Sequence, residues 1–167
     1  IKLVKEGTLD STLFHRIIPE FMIQGGDPTS KNALQGQMLG SGDNGYRVPA
    51  EFQLPKYYHK KGALCAARDN NPEKASSGCQ FYVVVGKTFT DKDIDAMETR
   101  TGVKYSEQAR IDYKTIGGTP HLDGAYTVYG QCVKGQEVVD AISKVSCDGS
   151  NRPKEDVRII SMKIKKK

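Results

Sequence analysis

The run Phe14-His15-Arg16-Ile17-Ile18-Pro19-Glu20-Phe21-Met22-Ile23-Gln24-Gly25-Gly26-Asp27 sets one arginine, one glutamine and two large apolar side chains among strand-forming residues. Arg16 carries a permanent charge on a rigid fork of donors, and Gln24 offers an amide that both donates and accepts. Phe21 and Met22 can wall off a dry recess. Together they suit an uncharged peptide, with donors for its carbonyls and an apolar pocket for one of its side chains. The competing readings are Arg16 as a surface ion-pair partner and Phe21 with Met22 as ordinary core.

Covalent and metal chemistry find no support. The sequence has no GxSxG and no HExxH, and His15, His59 and His121 stand far apart. His15 reads as a core histidine, hydrogen-bonded and silent. Gly40-Ser41-Gly42-Asp43-Asn44-Gly45 fits GxGxxG, but a dinucleotide fingerprint needs a helix opening at its end, and Arg47-Val48-Pro49 opens none. Those glycines read as turn formers. Asp91, Asp93 and Asp95 imitate the start of a calcium loop, yet its sixth position is Ala96 instead of glycine and its twelfth is Gly102 instead of glutamate. They read instead as the first turn of a helix, where acids favour the macrodipole. No metal or cofactor is expected. What remains is a reaction that makes and breaks no covalent bond, for which a pocket, donors and a fixed cation suffice.

A chain of 167 residues suits one domain whose core needs neither disulfides nor metal. Of the formal charge of +5, Lys163, Lys165, Lys166 and Lys167 supply four, so the basic excess is a tail and nucleic-acid binding is not expected. Cys65, Cys79, Cys132 and Cys147 show no zinc spacing and read as reduced, mostly buried thiols; if oxidised, three pairings would be open. No apolar run reaches membrane-spanning length. Ile1 to Gly7 reads as the last turns of a helix with Gly7 at its C-terminal cap, so the sequence opens inside an element. A targeting segment upstream would lie outside it, and the compartment stays open between cytoplasm and bacterial periplasm or cell envelope.

The elements that must position Arg16 and Gln24 follow from periodicity. Strands are expected at 13–18 and 21–24, separated by Pro19 at a bulge or an edge. Alternation then puts Met22 with Gln24 on one face and Phe21 with Ile23 on the other. Residues 62–67 form an apolar strand, and another runs from Ser77 to Val85 with Gln80, Tyr82 and Val84 on one face, so Gln80 and Tyr82 can line one wall. Residues 35–49 are a glycine-rich loop. A strand near Tyr126 to Gly130, a helix with Val138, Val139, Ile142 and Val145 on its apolar stripe, and a last strand from about Val157 to Ile164 complete the pattern. Between Gly86 and His121 lies a polar insertion of two short helices, Thr90 to Glu98 and Ser106 to Ile116, the second stopped by Gly117-Gly118.

The run from Phe14 to Asp27 resembles the arginine-bearing signature of the cyclophilins, the peptidyl-prolyl cis-trans isomerases, and Gly78-Cys79-Gln80-Phe81-Tyr82, His121-Leu122-Asp123-Gly124 and Asp148-Gly149-Ser150-Asn151-Arg152-Pro153 extend that resemblance over most of the chain. The glycine loop is similar to the one in bacterial members. The resemblance implies a mostly β fold, a closed antiparallel barrel capped by helices. Here that fold would lack its first two strands and most of its first helix, and residues 1–167 would form a single domain with the helical insertion at about 87–120.

It also implies isomerisation of Xaa-Pro bonds in proteins without a cofactor. Arg16 matches the catalytic arginine, Phe21, Met22 and Leu122 the proline pocket, Gln24 the backbone-holding glutamine and Gln80 a groove position, while Ala67 and Arg68 would present backbone or side chain along the peptide. Three positions depart from the pattern: Tyr82 replaces a pocket phenylalanine, His121 a frequent tryptophan and Tyr126 a frequent histidine. The Tyr82 hydroxyl is expected to narrow or wet the pocket unless it finds a partner. The lost indole donor implies only weak cyclosporin binding. Expected partners are proline-containing peptides and unfolded or folded client proteins, with the insertion selecting among them. Rival readings are a non-catalytic proline-peptide or chaperone module using the same groove, and a scaffold acting through the insertion.

Overall fold

The computed structural model describes residues 1–165. Seven strands form, in chain order β1 (Phe14–Ile18), β2 (Met22–Gly25), β3 (Arg47–Val48), β4 (Ala63–Ala66), β5 (Ser76–Ser77), β6 (Phe81–Val84) and β7 (Val128–Gln131). Five make one antiparallel sheet in the order β1-β2-β6-β4-β7, with β1 and β7 at its edges, while β3 pairs with β5 as a small ribbon. Four helices accompany them: α1 (Lys2–Lys5), α2 (Asp91–Thr101), α3 (Glu107–Thr115) and α4 (Gln136–Ile142). Regular structure is thus shared between sheet and helix, where a mostly β chain was expected, because the insertion contributes two helices and the strands are short.

Pro19 stands at the end of the edge strand β1 and not at a bulge. It opens the tight turn of the β1–β2 hairpin, closed by Phe21 N–H donating to the Ile18 carbonyl at 3.2 Å, with Glu20 at φ +57°. The bulge lies at His15, since Phe14 faces Gly25 while Arg16 already faces Gln24. The expected last strand is reduced to a single bridge between Leu13 and Arg158, flanked by Phe14 N–H to the Val157 carbonyl and Ile159 N–H to the Thr12 carbonyl, both 2.8 Å.

Cores lie on both faces of the sheet. On one, Met22, Ala63, Cys65, Tyr82, Val84 and Leu122 pack together. On the other, Ile17, Ile23 and Val85 meet Val139, Ile142 and Val145, which is why α4 docks there; Val138, assigned to the same stripe, is 55% exposed. All four cysteines are free thiols, with Cys65 and Cys79 buried.

The insertion builds a core of its own from Tyr58, Ile94, Met97, Tyr105, Ala109 and Tyr113. α2 starts on a capping box between Thr90 and Asp93 and runs to Thr101, three residues beyond the expected Glu98, where Gly102, φ +72°, caps it. Asp91 and Asp95, two of the three calcium-like carboxylates, pair with Arg110 of α3. Gly118 ties the insertion back to the domain through bridges to Lys60 and Lys87.

Gly26, which follows β2, has φ +90°, and a side chain there would meet the Cys79 carbonyl and the Phe81 ring. Gly26→Ala is expected to cost about 2–4 kcal/mol through left-handed strain plus steric displacement, read as a lower urea midpoint with an unchanged slope.

Candidate active site

Pairing β1 with β2 sets Arg16 opposite Gln24, and pairing β2 with β6 sets Gln24 opposite Tyr82, two residues beyond Gln80. The result is a relay of polar contacts. Arg16 donates to Gln24 Oε1 at 3.3 Å, Gln24 Nε2 donates to Gln80 Oε1 at 3.1 Å, and Gln80 Nε2 donates to the carbonyls of Gly40 and Gly42 at 2.9 and 2.7 Å. Each amide has its orientation dictated by its neighbours. Among the described residues Arg16 has no carboxylate partner, so the ion-pair reading of this arginine does not hold.

The glycine loop is held from its other side by Asp27, which sequence reasoning overlooked. Its buried carboxylate accepts from Thr29 N–H at 2.8 Å, Thr29 Oγ1 at 2.6 Å, Gly40 N–H at 2.5 Å and Gly42 N–H at 3.3 Å. Burial pushes its pKa up, but the hydrogen bonds from Thr29, Gly40 and Gly42 outweigh that and hold the carboxyl below its ordinary value. Amides that would cradle a phosphate in a GxGxxG loop are therefore occupied by the chain's own carboxylate. The available signal was Asp27 itself, a capping residue before Pro28-Thr29.

Beside the relay lies a recess of 90 Å³ lined by Arg16, Phe21, Met22, Gln24, Ala67, Arg68, Tyr82, Leu122 and Tyr126. Against the about 300 Å³ or more of a drug-sized site, this volume suits one small side chain. Phe21 and Met22 share it although strict alternation would separate them, because Phe21 belongs to the hairpin turn and escapes the strand period. His121 stays at the rim, stacked on the Phe21 ring at 5.6 Å. Gln80 stands one step away, through Gln24. Arg68 lies 4.5 Å over the Tyr126 ring and donates to the carbonyls of Ala125 and Asp69. The Ala67 backbone is already engaged, its N–H donating to the Gln80 carbonyl and its carbonyl accepting from Ser77 N–H.

The Tyr82 hydroxyl neither narrows nor wets this recess. It is turned behind the wall, 2.9 Å from His59 Nε2, while His59 Nδ1 lies 2.6 Å from Asp123 Oδ1. His59 was read as isolated because its partners are distant in sequence. A larger groove of 850 Å³, lined by Leu3, Val4, Leu64, Phe81, Tyr129 and Met162 among others, opens elsewhere; it reaches Gln80 but neither Arg16 nor Gln24.

His15 is 4% exposed, and neither ring nitrogen has a partner among the described residues, contrary to the hydrogen-bonded core histidine expected. Burial lowers its pKa below 6.5, the Asp27 carboxylate opposes this, and Arg16 and Arg152 reinforce it. The unfolded chain therefore binds more protons than the native one as pH falls through 6.5, and stability drops toward acid. The thermal midpoint is expected to fall from about pH 7 to about pH 5, less steeply in His15→Leu. Part of the slope will persist in that variant, because the pKa of His121 is also lowered, by partial desolvation at the rim and by the Arg100 charge.

The geometry can be set beside known proteins. The family model described as cyclophilin type peptidyl-prolyl cis-trans isomerase/CLD matches residues 1–164. A Streptococcus pyogenes protein named as a bifunctional phosphatase/peptidyl-prolyl cis-trans isomerase is 37% identical over 97% of this chain, which spans only 32% of that protein. Peptidyl-prolyl cis-trans isomerase A of Mycobacterium tuberculosis is 33% identical over 93% of this chain and 63% of its own length. Among solved structures, a Cryptosporidium parvum cyclophilin type peptidyl-prolyl cis-trans isomerase, crystallised in the presence of the dipeptide Ala-Pro, superposes with a TM-score of 0.63 at 22% identity, covering 96% of this chain and 78% of the other. With the family model spanning nearly every residue and the same sheet beneath its signature, this chain belongs to the cyclophilin-type peptidyl-prolyl cis-trans isomerase family.

Proposed function

We propose that this chain catalyses rotation about Xaa-Pro peptide bonds in protein substrates and so assists their folding. The observation that carries this reading is an arginine without an ionic partner among the described residues, oriented by Gln24, on the wall of a 90 Å³ recess that it shares with Phe21, Met22, Leu122, Tyr82 and Tyr126. Phe21, Met22, Leu122, Tyr82 and Tyr126 would receive the proline ring. Arg16 would hydrogen-bond the prolyl carbonyl and stabilise the pyramidal nitrogen as amide resonance is lost. Gln24 and Gln80 would hold the flanking backbone, with Arg68 and His121 along the groove.

The barrier to be lowered is about 18–20 kcal/mol, and reaching milliseconds from the uncatalysed tens to hundreds of seconds takes roughly 6–7 kcal/mol. A charged hydrogen bond supplies about 1.5–3 kcal/mol of that. The recess must contribute the remainder, by anchoring the ring and by favouring the twisted, less polar amide in a site of low polarity.

Residues 1–167 act as a single domain in this reading, with the helical insertion at about 87–120. Its sheet is one part of a closed barrel, and the apolar groove beneath β4, β6 and β7 is where further strands would complete the wall. Proline-containing peptides and client proteins are the substrates, a reading supported by the Ala-Pro dipeptide present with the Cryptosporidium relative.

Two measurements test this. In exchange NMR on a short Xaa-Pro peptide, Arg16→Ala is expected to lower kcat/KM by about ten- to a hundredfold while amide dispersion is retained. Isomerisation unaffected by the substitution would dismiss Arg16, and none from the folded wild type would favour a binding module. Calorimetry is expected to find cyclosporin binding weak, since His121 is stacked on Phe21 and brings no indole donor. Sub-micromolar affinity would contradict that.

A further inference from the structure

Behind the recess runs a chain of buried hydrogen bonds that the isomerase reading does not use. Asp123 is fully buried, and its Oδ1 accepts from His59 N–H at 2.9 Å and lies 2.6 Å from His59 Nδ1, while its Oδ2 accepts from the hydroxyl of Tyr113 in α3. An ionised carboxylate only accepts, so His59 must carry its proton on Nδ1. In the neutral ring Nε2 is then a bare lone pair facing the Tyr82 hydroxyl, which donates across 2.9 Å. The Tyr82 ring stacks on His59, with ring planes 12° apart, and meets Tyr126 edge-on at 81°. Tyr82, Tyr126 and Leu122, the neighbour of Asp123, all line the recess.

We propose that Tyr113, Asp123 and His59 are positioning residues, through which insertion helix α3 sets the depth and tilt of the Tyr82 ring and so the fit of the substrate's proline. The inference rests on the isomerase reading of the recess, and it gives the insertion a role in the pocket itself. A tyrosine ring restrained only by packing can slide along its own axis. One whose hydroxyl is bound to a fixed acceptor cannot, and the acceptor here is fixed by a carboxylate that α3 helps to hold. Removing the Tyr113 hydroxyl takes a donor from Asp123; the carboxylate draws closer to His59, the imidazole follows, and the Tyr82 ring loses its register with Leu122 and Tyr126.

The test is a double-mutant cycle on the full chain, using Tyr113→Phe, Tyr82→Phe and both together, with kcat and KM from peptide exchange NMR and the thermal midpoint of each. Tyr113→Phe is expected to raise KM by about fivefold with little change in kcat, and that effect is expected to shrink below about twofold in the Tyr82→Phe background. An effect on KM that is absent, or equal in both backgrounds, would overturn the proposal. A merely structural role would lower the midpoint alike in both backgrounds and leave KM alone. The His59 Nδ1 proton resonance supplies an independent readout. It is expected downfield in the wild type and shifted in Tyr113→Phe, and a resonance indifferent to that change also overturns the proposal. If the wild type binds the peptide without isomerising it, the isomerase reading fails, and the same cycle is read from the peptide's Kd.

Discussion

The Gln24 side chain is the joint on which the site depends. Its oxygen is taken by Arg16 and its nitrogen is given to Gln80, so one amide joins β1, β2 and the start of β6, and Gln80 passes the restraint to the glycine loop. An arginine on an exposed strand edge would ordinarily sample many rotamers and lose much of that freedom on binding. Here that freedom is curtailed before any ligand arrives, and among the described residues no carboxylate competes for the charge. Preorganisation of this kind matters most where the reaction needs an electrostatic partner that does not reorganise during the rotation.

Two buried carboxylates do for the loops what Gln24 does for the strands. An ionised carboxylate taken out of water is costly unless its lone pairs are met by donors. Asp27 meets the requirement with Thr29 and the amides of Gly40 and Gly42, and Asp123 with His59 and Tyr113. In each case a nearby donor is joined by one from another segment, Gly40 and Gly42 for Asp27 and His59 for Asp123. Satisfying the charge therefore also closes the structure around the groove, one carboxylate on the side of the glycine loop and the other on the side of the insertion.

The insertion illustrates how a polar-looking segment acquires a definite place. Its surface is laced with ion pairs between α2 and α3, which in exposed positions contribute little individually. Its stability comes from within, where Ile94 and Tyr113 are fully buried and each is worth about 1.5–3 kcal/mol or more of apolar burial. Tyr113 belongs at once to that core and to the network behind the recess, so the packing of the insertion and the shape of the pocket wall share a residue.

Much of this was legible in the residues alone. The hairpin strands and the two helices of the insertion, opening near Thr90 and Ser106, follow from periodicity, and the set Arg16, Phe21, Met22, Gln24, Gln80, Tyr82 and Leu122 from runs matching a known signature. Such signals are local because backbone preference and capping act within a few residues. Other features were decided only by tertiary structure. Phe21 joins Met22 because a turn, not a strand, carries it. The Tyr82 hydroxyl points away from the recess because His59, 23 positions away in sequence, offers an acceptor. Among the described residues the segment after Val157 bridges instead of forming a strand, and His15 is buried without a hydrogen-bond partner. Each of these is a matter of which distant donor, acceptor or neighbour is present, and periodicity holds no record of that. The amino-acid sequence by itself determined which chemistry this protein carries; the packing of remote segments decided where each polar atom would point.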